Sequence, residues 1–342
     1  IKFPPQDVLQ LKSYYLSSSV HVDSIDYLIG YNYRLHSLDC MNLKSKSVTQ
    51  IVLPGDGPDA IVRLSGIYAQ SLDSVWISDE SERAFLIDSV GTIKRMIDLK
   101  KYLEDQEQLL INTNYAMFTS HLFYNASRHS LMFLVKHTPS NTFIVKEAFI
   151  DEVGKMATYQ LSSSKVVPDM SKGYAYINFP NVNFVGENIV YNYPVESSIY
   201  MLDIRTNERK YILADSHYTS NIIEKCTTSG DYATLEKHWL ENSHFYDIMY
   251  LPKYKIYARL HADKVDFDEK KGMEKLINER DLYLMLFDEN MEKIGETKLS
   301  NCRYSPFTSW NATYGGIALF VDNVLDEKNN TDDLTIDIIS LK

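Results

Sequence analysis

The sequence predicts an all-β fold: a six-bladed β-propeller of four-stranded antiparallel blades, closed by pairing of the two termini and filling residues 1–342 as a single domain. The first observation is the stretch VWISDESERAFLIDSVGTIKRMI at 75–97. Two apolar runs, 75–77 and 84–87, are joined by the polar quartet 79–82, and a turn at 88–92 leads to a third run at 93–97. Three antiparallel strands follow from that pattern, and 62–69 supplies a fourth. Val75, Trp76 and Ile77 are consecutive rather than alternating with polar residues, so both faces of this meander need cover, which like neighbours in a ring provide. The second observation is that comparable groups of strands recur along the chain. The third is composition: 25 Tyr against 13 Gly, without a long segment rich in Ala, Leu, Glu and Lys, favours sheet over helix.

A length of 342 residues suits two average domains or one large one, and a 44% hydrophobic fraction leaves ample core for either. The net charge is -11 with both signs interspersed, and the densest basic runs are Lys100-Lys101 and Lys270-Lys271, which excludes nucleic acid as a partner and argues against an anionic lipid surface. Cys40, Cys226 and Cys302 are too few and too scattered for a metal knuckle or a disulfide framework; free thiols, or one disulfide with a spare, both remain open. No run approaches the ~20 apolar residues of a membrane span. The chain starts at Ile1 rather than Met, which suggests a mature product or a trimmed chain whose targeting segment lies outside these residues.

Taken in order, residues 1–19 hold Pro4-Pro5 and then a strand at 8–16 with nothing local to pair with. The first repeat follows as DYLIGYNY, RLHSLDCM and SVTQIVLP. After the linker Gly55-Asp56-Gly57-Pro58 comes the blade at 62–99, then a third unit at 118–162, a fourth at 175–213 and a fifth at 245–299. The sixth, 306–341, offers only FTSWNATY, GIALFVD and LTIDIISL, and lacks a fourth strand. The strand at 8–16 is therefore expected to close the ring beside 334–341. A seventh blade would have to come from 214–244, where DYATLEKHWLEN at 231–242 reads as a helix behind an N-cap at Ser229 or Asp231.

Six units share the chain at about 57 residues each, above the ~40 to 50 usual for a blade, so insertions make up the excess. First-to-second connections (70–73, 186–188, 252–255) and third-to-fourth connections (151–155, 205–208, 289–292) are short. Their opposite numbers at 100–117, 163–173, 214–244, 262–281 and 323–333 are long. In an up-and-down blade all the long ones emerge on one face of the disc, which becomes the expected site of function. Helix is expected in two of them, near 100–117 from the spacing of Leu99, Leu103 and Leu110, and within 214–244.

In the blade at 62–97, Asp79 follows the second strand, Arg83 starts the third and Asp88-Ser-Val-Gly91 makes the last turn. This blade resembles one repeat of the NHL propellers. With Gly55-Asp-Gly-Pro58 between blades and a Tyr- and Asn-rich remainder, the whole chain resembles the six-bladed propeller lipoproteins of Bacteroides and relatives that are grouped as a domain of unknown function. The other blades depart from the NHL pattern; the fourth has no Asp matching Asp79. The resemblance implies a secreted protein of the cell envelope, outer-membrane or periplasmic, held to the membrane through an N-terminal lipid outside this sequence. It supplies no catalytic residues.

Chemistry-bearing residues are sparse. Ser120-His121, Ser216-His217 and Ser243-His244 sit at or near inner-strand entries, yet no HxH, HExxH or paired-carboxylate spacing accompanies them, so no metal and no cofactor is expected. Asn178, Asn181 and Asn183 on an inner strand, with Asp247, are a weak match to a Ca²⁺ site. Aromatic residues are denser around the long loops. The candidate ligand contacts are Trp239, Trp310, Tyr115, His121, Phe179, Tyr218, His244 and Tyr304, with Trp239 and Trp310 expected to wall one cleft. The first functional reading is a monomeric, non-enzymatic envelope protein whose long-loop face binds a glycan, peptide or protein. The alternative is an extracellular hydrolase or lyase acting at the axial funnel. Two or more carboxylates or His with strongly shifted pKa in one central pocket would favour the enzyme; an open, aromatic, carboxylate-poor mouth would favour binding.

Overall fold

The computed structural model describes residues 1–4, 10–111, 119, 121–167, 174, 178–226, 231–328 and 333–341. Six antiparallel sheets follow one another along the chain. The first holds β1 (Ser17–Val22), β2 (Ile25–Asn32), β3 (Ser37–Asn42) and β4 (Val48–Val52), and the second β5 (Leu64–Ser71), β6 (Ser74–Asp79), β7 (Arg83–Ile87) and β8 (Ile93–Asp98). In the third, β9 (Glu107–Leu109) pairs beside the meander β10 (Phe123–Asn125), β11 (Ser130–His137), β12 (Thr142–Phe149) and β13 (Met156–Gln160). The fourth is β14 (Asn181–Val185), β15 (Asn188–Asn192), β16 (Ile199–Asp203) and β17 (Arg209–Ile212). The fifth is β18 (His244–Leu251), β19 (Ile256–Ala262), β20 (Leu282–Phe287) and β21 (Lys293–Lys298), and the sixth β22 (Trp310–Ala312), β23 (Ile317–Phe320) and β24 (Ile336–Ile339).

The ring is visible in the core. Among the described residues, buried apolar side chains fall into six clusters, and each draws on two neighbouring sheets. Val75 and Ile77 of β6 face the first sheet while Trp76 between them faces the third, so the unbroken apolar run covers both sides of its blade. The last cluster joins Ala318, Phe320 and Ile336 of the sixth sheet to Leu28, Met41 and Val48 of the first, which completes the circle. Six blades are therefore present, as the repeats predict.

Closure differs from expectation in one respect. The strand beside β24 is Ile1–Phe3: Phe3 N donates to Leu334 O at 2.9 Å, Ile336 N donates to Ile1 O at 2.8 Å, and Lys2 bridges Thr335. Of the stretch 8–16 proposed for that role, 8 and 9 lie outside the described residues and 10–16 are not strand. Its end leads into β1, which belongs to the first blade and makes DYLIGYNY the second strand there rather than the first. The reason is the Asp23-Ser24 turn, where both residues take positive φ (50° and 62°). Such a two-residue hairpin normally advertises itself with glycine, and this one carries none.

Each inner strand presents an open sheet edge to the axis, and its backbone groups need partners. Polar side chains of neighbouring blades supply them. Asn181 Nδ2 donates to Phe245 O at 2.8 Å, Asn183 Nδ2 to Ile248 O at 2.9 Å, and Ser19 Oγ to Ala312 O at 2.6 Å, while Ala69 N donates to Ser18 Oγ at 3.0 Å. Close approach has its own requirement at Gly66, where an added Cβ would lie 2.5 Å from Ser78 Oγ and 3.1 Å from Leu122 Cβ.

On the long-loop face, helix α1 (Tyr232–Leu240) starts at Asp231, whose carboxylate caps Thr234 N, and buries Trp239 and Leu240. A second helix, α2 (Met273–Asn278), lies in the 262–281 connection. No α-helix forms at 99–111, against expectation. There a 3-10 turn, Leu99–Tyr102, leads to β9, and Glu104 and Glu107 both reach the fully buried Lys146 Nζ at 3.0 Å, which ties the segment to the third blade. Residues 112–117 lie outside the described set. Among the described residues, no helix is long and apolar enough to cross a membrane.

Candidate functional site

Among the described residues, two of the cavities lie on opposite faces of the disc. The first is an open cleft of about 860 Å³ on the long-loop face, walled by Tyr15, Tyr31, Tyr33 and Phe307 with Arg63 and His36. Topology places them there. Tyr15 precedes β1, Tyr31 lies near the end of β2 and Tyr33 just after it, Arg63 precedes β5 and Phe307 precedes β22, all on the face that carries the long connections. The rings hold one another: Tyr15 meets Tyr31 edge-on at 6.1 Å between centroids and Tyr33 at 6.1 Å, and the Arg63 guanidinium lies 5.7 Å from the Tyr15 ring. Tyr33 is 51% exposed. His36 Nδ1 bonds Tyr31 Oη at 3.0 Å. Burial pushes the Tyr31 phenol up to about 12, helped by neighbouring Tyr15, so it stays protonated and able to donate. Burial also raises Tyr15, with Arg63 working the other way. No carboxylate is among the described residues of this wall.

The second cavity, about 360 Å³, runs along the axis and takes lining from all six inner strands. Gly186 and Pro252 stand at its mouth, in first-to-second-strand hairpins, so the funnel opens on the short-hairpin face. At its centre Asp247 is 1% exposed and accepts two hydrogen bonds, from His121 Nε2 at 2.9 Å and Trp310 Nε1 at 3.2 Å. Aromatic rings form one wall: Phe123 stacks on Phe184 at 4.9 Å and takes Tyr68 edge-on at 5.1 Å.

The structure brings His121 and Trp310 together in this funnel and distributes the other predicted residues elsewhere. Trp239 and Trp310 do not wall one cleft: Trp239 is 7% and Trp310 3% exposed, and they belong to different core clusters. Trp239 lies under the Arg280 guanidinium at 5.1 Å and its Nε1 donates to His244 Nδ1 at 3.3 Å. His244 is fully buried, and burial followed by the Arg280 charge holds its pKa well below the ordinary value, so it is a neutral core imidazole. Phe179 is half-buried against Phe143 with Lys136 above it at 4.9 Å. Tyr304 donates to Asp337 at 2.9 Å inside the sixth blade. Tyr218 is exposed in a separate groove of mixed charge and stacks on Tyr283 at 5.0 Å. Tyr115 lies outside the described residues.

Ser120 lies outside the described residues, and the histidines of the three Ser-His pairs have separate partners. His121 meets Asp247, His244 meets Trp239, and Ser216 Oγ and His217 N both donate to Glu296, at 2.6 and 3.0 Å. Among the described residues no three His, Cys, Asp or Glu come together as metal ligands. Of the Asn oxygens weighed for Ca²⁺, two are occupied by backbone amides, Asn181 Oδ1 by Thr119 N and Asn183 Oδ1 by Phe184 N. Sequence reasoning passed over Tyr15, Tyr31, Tyr33 and Arg63. The signal was present in Tyr14-Tyr15 and Tyr31-Asn-Tyr33, but only a correct β1 puts both at the same end of their strands.

Comparison with known proteins agrees with this architecture. A solved member of the DUF4221 family from Bacteroides vulgatus superposes with a TM-score of 0.80 at 14% identity, over 100% of this chain and 97% of that one. A candidate exported protein from Bacteroides fragilis matches with a TM-score of 0.58 at 13% identity, over 98% and 92%. At these identities the likeness concerns the fold. No curated protein matches the chain. The family model described as a domain of unknown function, DUF4221, matches residues 6–298, and the chain belongs to that family.

Proposed function

We propose that this propeller is a non-enzymatic binding protein of the cell envelope, exported and lipid-anchored, that holds a glycan on its long-loop face in the tyrosine cleft. The observation that carries the reading is the cleft wall: three tyrosines and a phenylalanine around about 860 Å³, an exposed Arg63 that pairs with Glu80 at 3.6 Å, and no carboxylate among the described residues that line the cleft. Sugar rings stack their C–H faces on such aromatics while phenol and guanidinium groups meet the hydroxyls. Rigid aromatics also cost little side-chain entropy on binding. The axial funnel supports the non-enzymatic side: its described lining has a single carboxylate with both oxygens engaged, whereas glycoside hydrolysis ordinarily uses two carboxyl groups flanking the bond. Resemblance to a candidate exported protein supports the compartment.

A glycan array probed with the purified chain, followed by titration of the best saccharide, tests the reading. Tyr33→Ala should weaken that saccharide at least tenfold and leave the melting temperature within about 2 °C, because the ring is half in solvent. Absence of any saccharide above background, or unchanged affinity in Tyr33→Ala, refutes it. A peptide-library ligand lost in the same variant would replace the glycan with a peptide.

A further inference from the structure

We propose that the axial funnel is a second binding site, distinct from the tyrosine cleft, for a small molecule bearing one ammonium group. The two cavities share no lining residue and open on opposite faces. The charge balance of the funnel selects its ligand. Among the described residues that line it, Asp247 is the one carboxylate and none is Lys or Arg. An ionised carboxylate only accepts hydrogen bonds, and indole N–H only donates, so the bond between His121 and Asp247 places a proton on His121 Nε2. In the neutral imidazole this leaves Nδ1 as an acceptor beside a buried negative charge. His121 keeps 24% side-chain exposure and lines the cavity, and Asp247 is its sole side-chain partner among the described residues. An ammonium N–H would meet that acceptor, and its charge would offset Asp247.

The remaining wall fits the same class. Tyr68, Phe123 and Phe184 form a continuous aromatic surface, and a cation is attracted to the electron-rich faces of such rings. A cavity of about 360 Å³ lies near the lower end of the range for small-ligand sites, about 300 to 1,000 Å³. An amino sugar or the N-terminal residue of a peptide is of the right size and carries the required group. Both present the same chemistry to His121 and Asp247.

Calorimetric titration of the whole chain tests this with glucosamine and alanyl-alanine amide as ammonium probes, against N-acetylglucosamine and N-acetyl-alanyl-alanine amide as their uncharged counterparts. At least one ammonium probe is expected to bind tenfold or more tightly than its counterpart, and the better of the two identifies the source. Asp247→Asn should reduce that affinity at least tenfold. The amide accepts from Trp310 through Oδ1 and gives a proton to His121 Nε2 in the other tautomer, so both bonds survive while the charge and the Nδ1 acceptor are lost. Tyr33→Ala should leave it unchanged. Equal affinity for charged and uncharged probes, or no loss in a folded Asp247→Asn, overturns the proposal. Should that variant fail to fold, the wild-type Trp310 indole N–H resonance decides: it is expected to shift on addition of the ammonium probe alone, and an unmoved resonance overturns the proposal.

Discussion

Asp322 offers the sharpest quantitative test of the structure. It follows β23, is 9% exposed, and accepts a hydrogen bond from Ser305 N at 3.0 Å. Hydroxyls of Ser13 and Thr308 also bond it. Burial dominates these contacts and pushes its pKa from 3.8 up to about 6. The folded value lies above the unfolded one, so folding favours the protonated acid. Below about pH 4 the group is neutral in both states and costs nothing; the penalty grows as pH rises from about 4 to 6 and is complete at pH 7. A shift of about two units corresponds to about 3 kcal/mol. Asp322→Asn keeps an oxygen for Ser305 N and removes the charge. The variant should be more stable than the parent at pH 7 by up to about 3 kcal/mol and equal to it near pH 4. At ~2.1 cal/mol/K per residue the unfolding entropy of 342 residues is about 0.7 kcal/mol/K, so the gain in melting temperature is about 4 °C. Calorimetry of both proteins from pH 4 to 7 isolates the effect, because every other group titrates alike in the two. A pH-independent difference, or a less stable variant at pH 7, would refute the reasoning.

Three further outcomes follow from the packing. Trp239→Ala removes a buried indole from beneath Arg280 and should cost about 3 to 5 kcal/mol, read as a fall in denaturation midpoint; a change below about 1 kcal/mol would return Trp239 to the surface. Burial alone would raise Glu296, yet bonds from His261, Ser216, His217 N and Lys293 hold it below the ordinary carboxylate range. Its stabilisation is therefore present above the usual glutamate pKa and fades as pH falls, so Glu296→Gln should lower stability by about 1 to 3 kcal/mol at pH 7, with a difference from the parent that shrinks below about pH 4.5 in urea titrations. Addition of a divalent-ion chelator should leave the melting temperature unchanged, and a fall of several degrees would show a structural ion.

What the sequence determined by itself is local. Short runs such as Val75–Ile77, the hairpins between them and the Asp231 cap of α1 are specified by neighbours a few residues apart, and the alternation of short and long connections shows which face is elaborated. Blade number follows because each blade repeats the same local pattern. Two features escaped for want of a local mark. The turn into β2 uses Asp23 and Ser24 in the left-handed region without glycine, and the closing strand Ile1–Phe3 is too short to show a period, so its role comes from Leu334 and Ile336 at the far end of the chain. The sites were decided by tertiary structure alone. His121 and Asp247 are 126 residues apart, and Trp239 and Trp310 look alike as aromatic residues near long loops until neighbouring blades bury them. In a ring, each inner strand contributes only a few side chains to the axis, so the funnel there is the product of six blades, and its chemistry belongs to no single stretch of sequence.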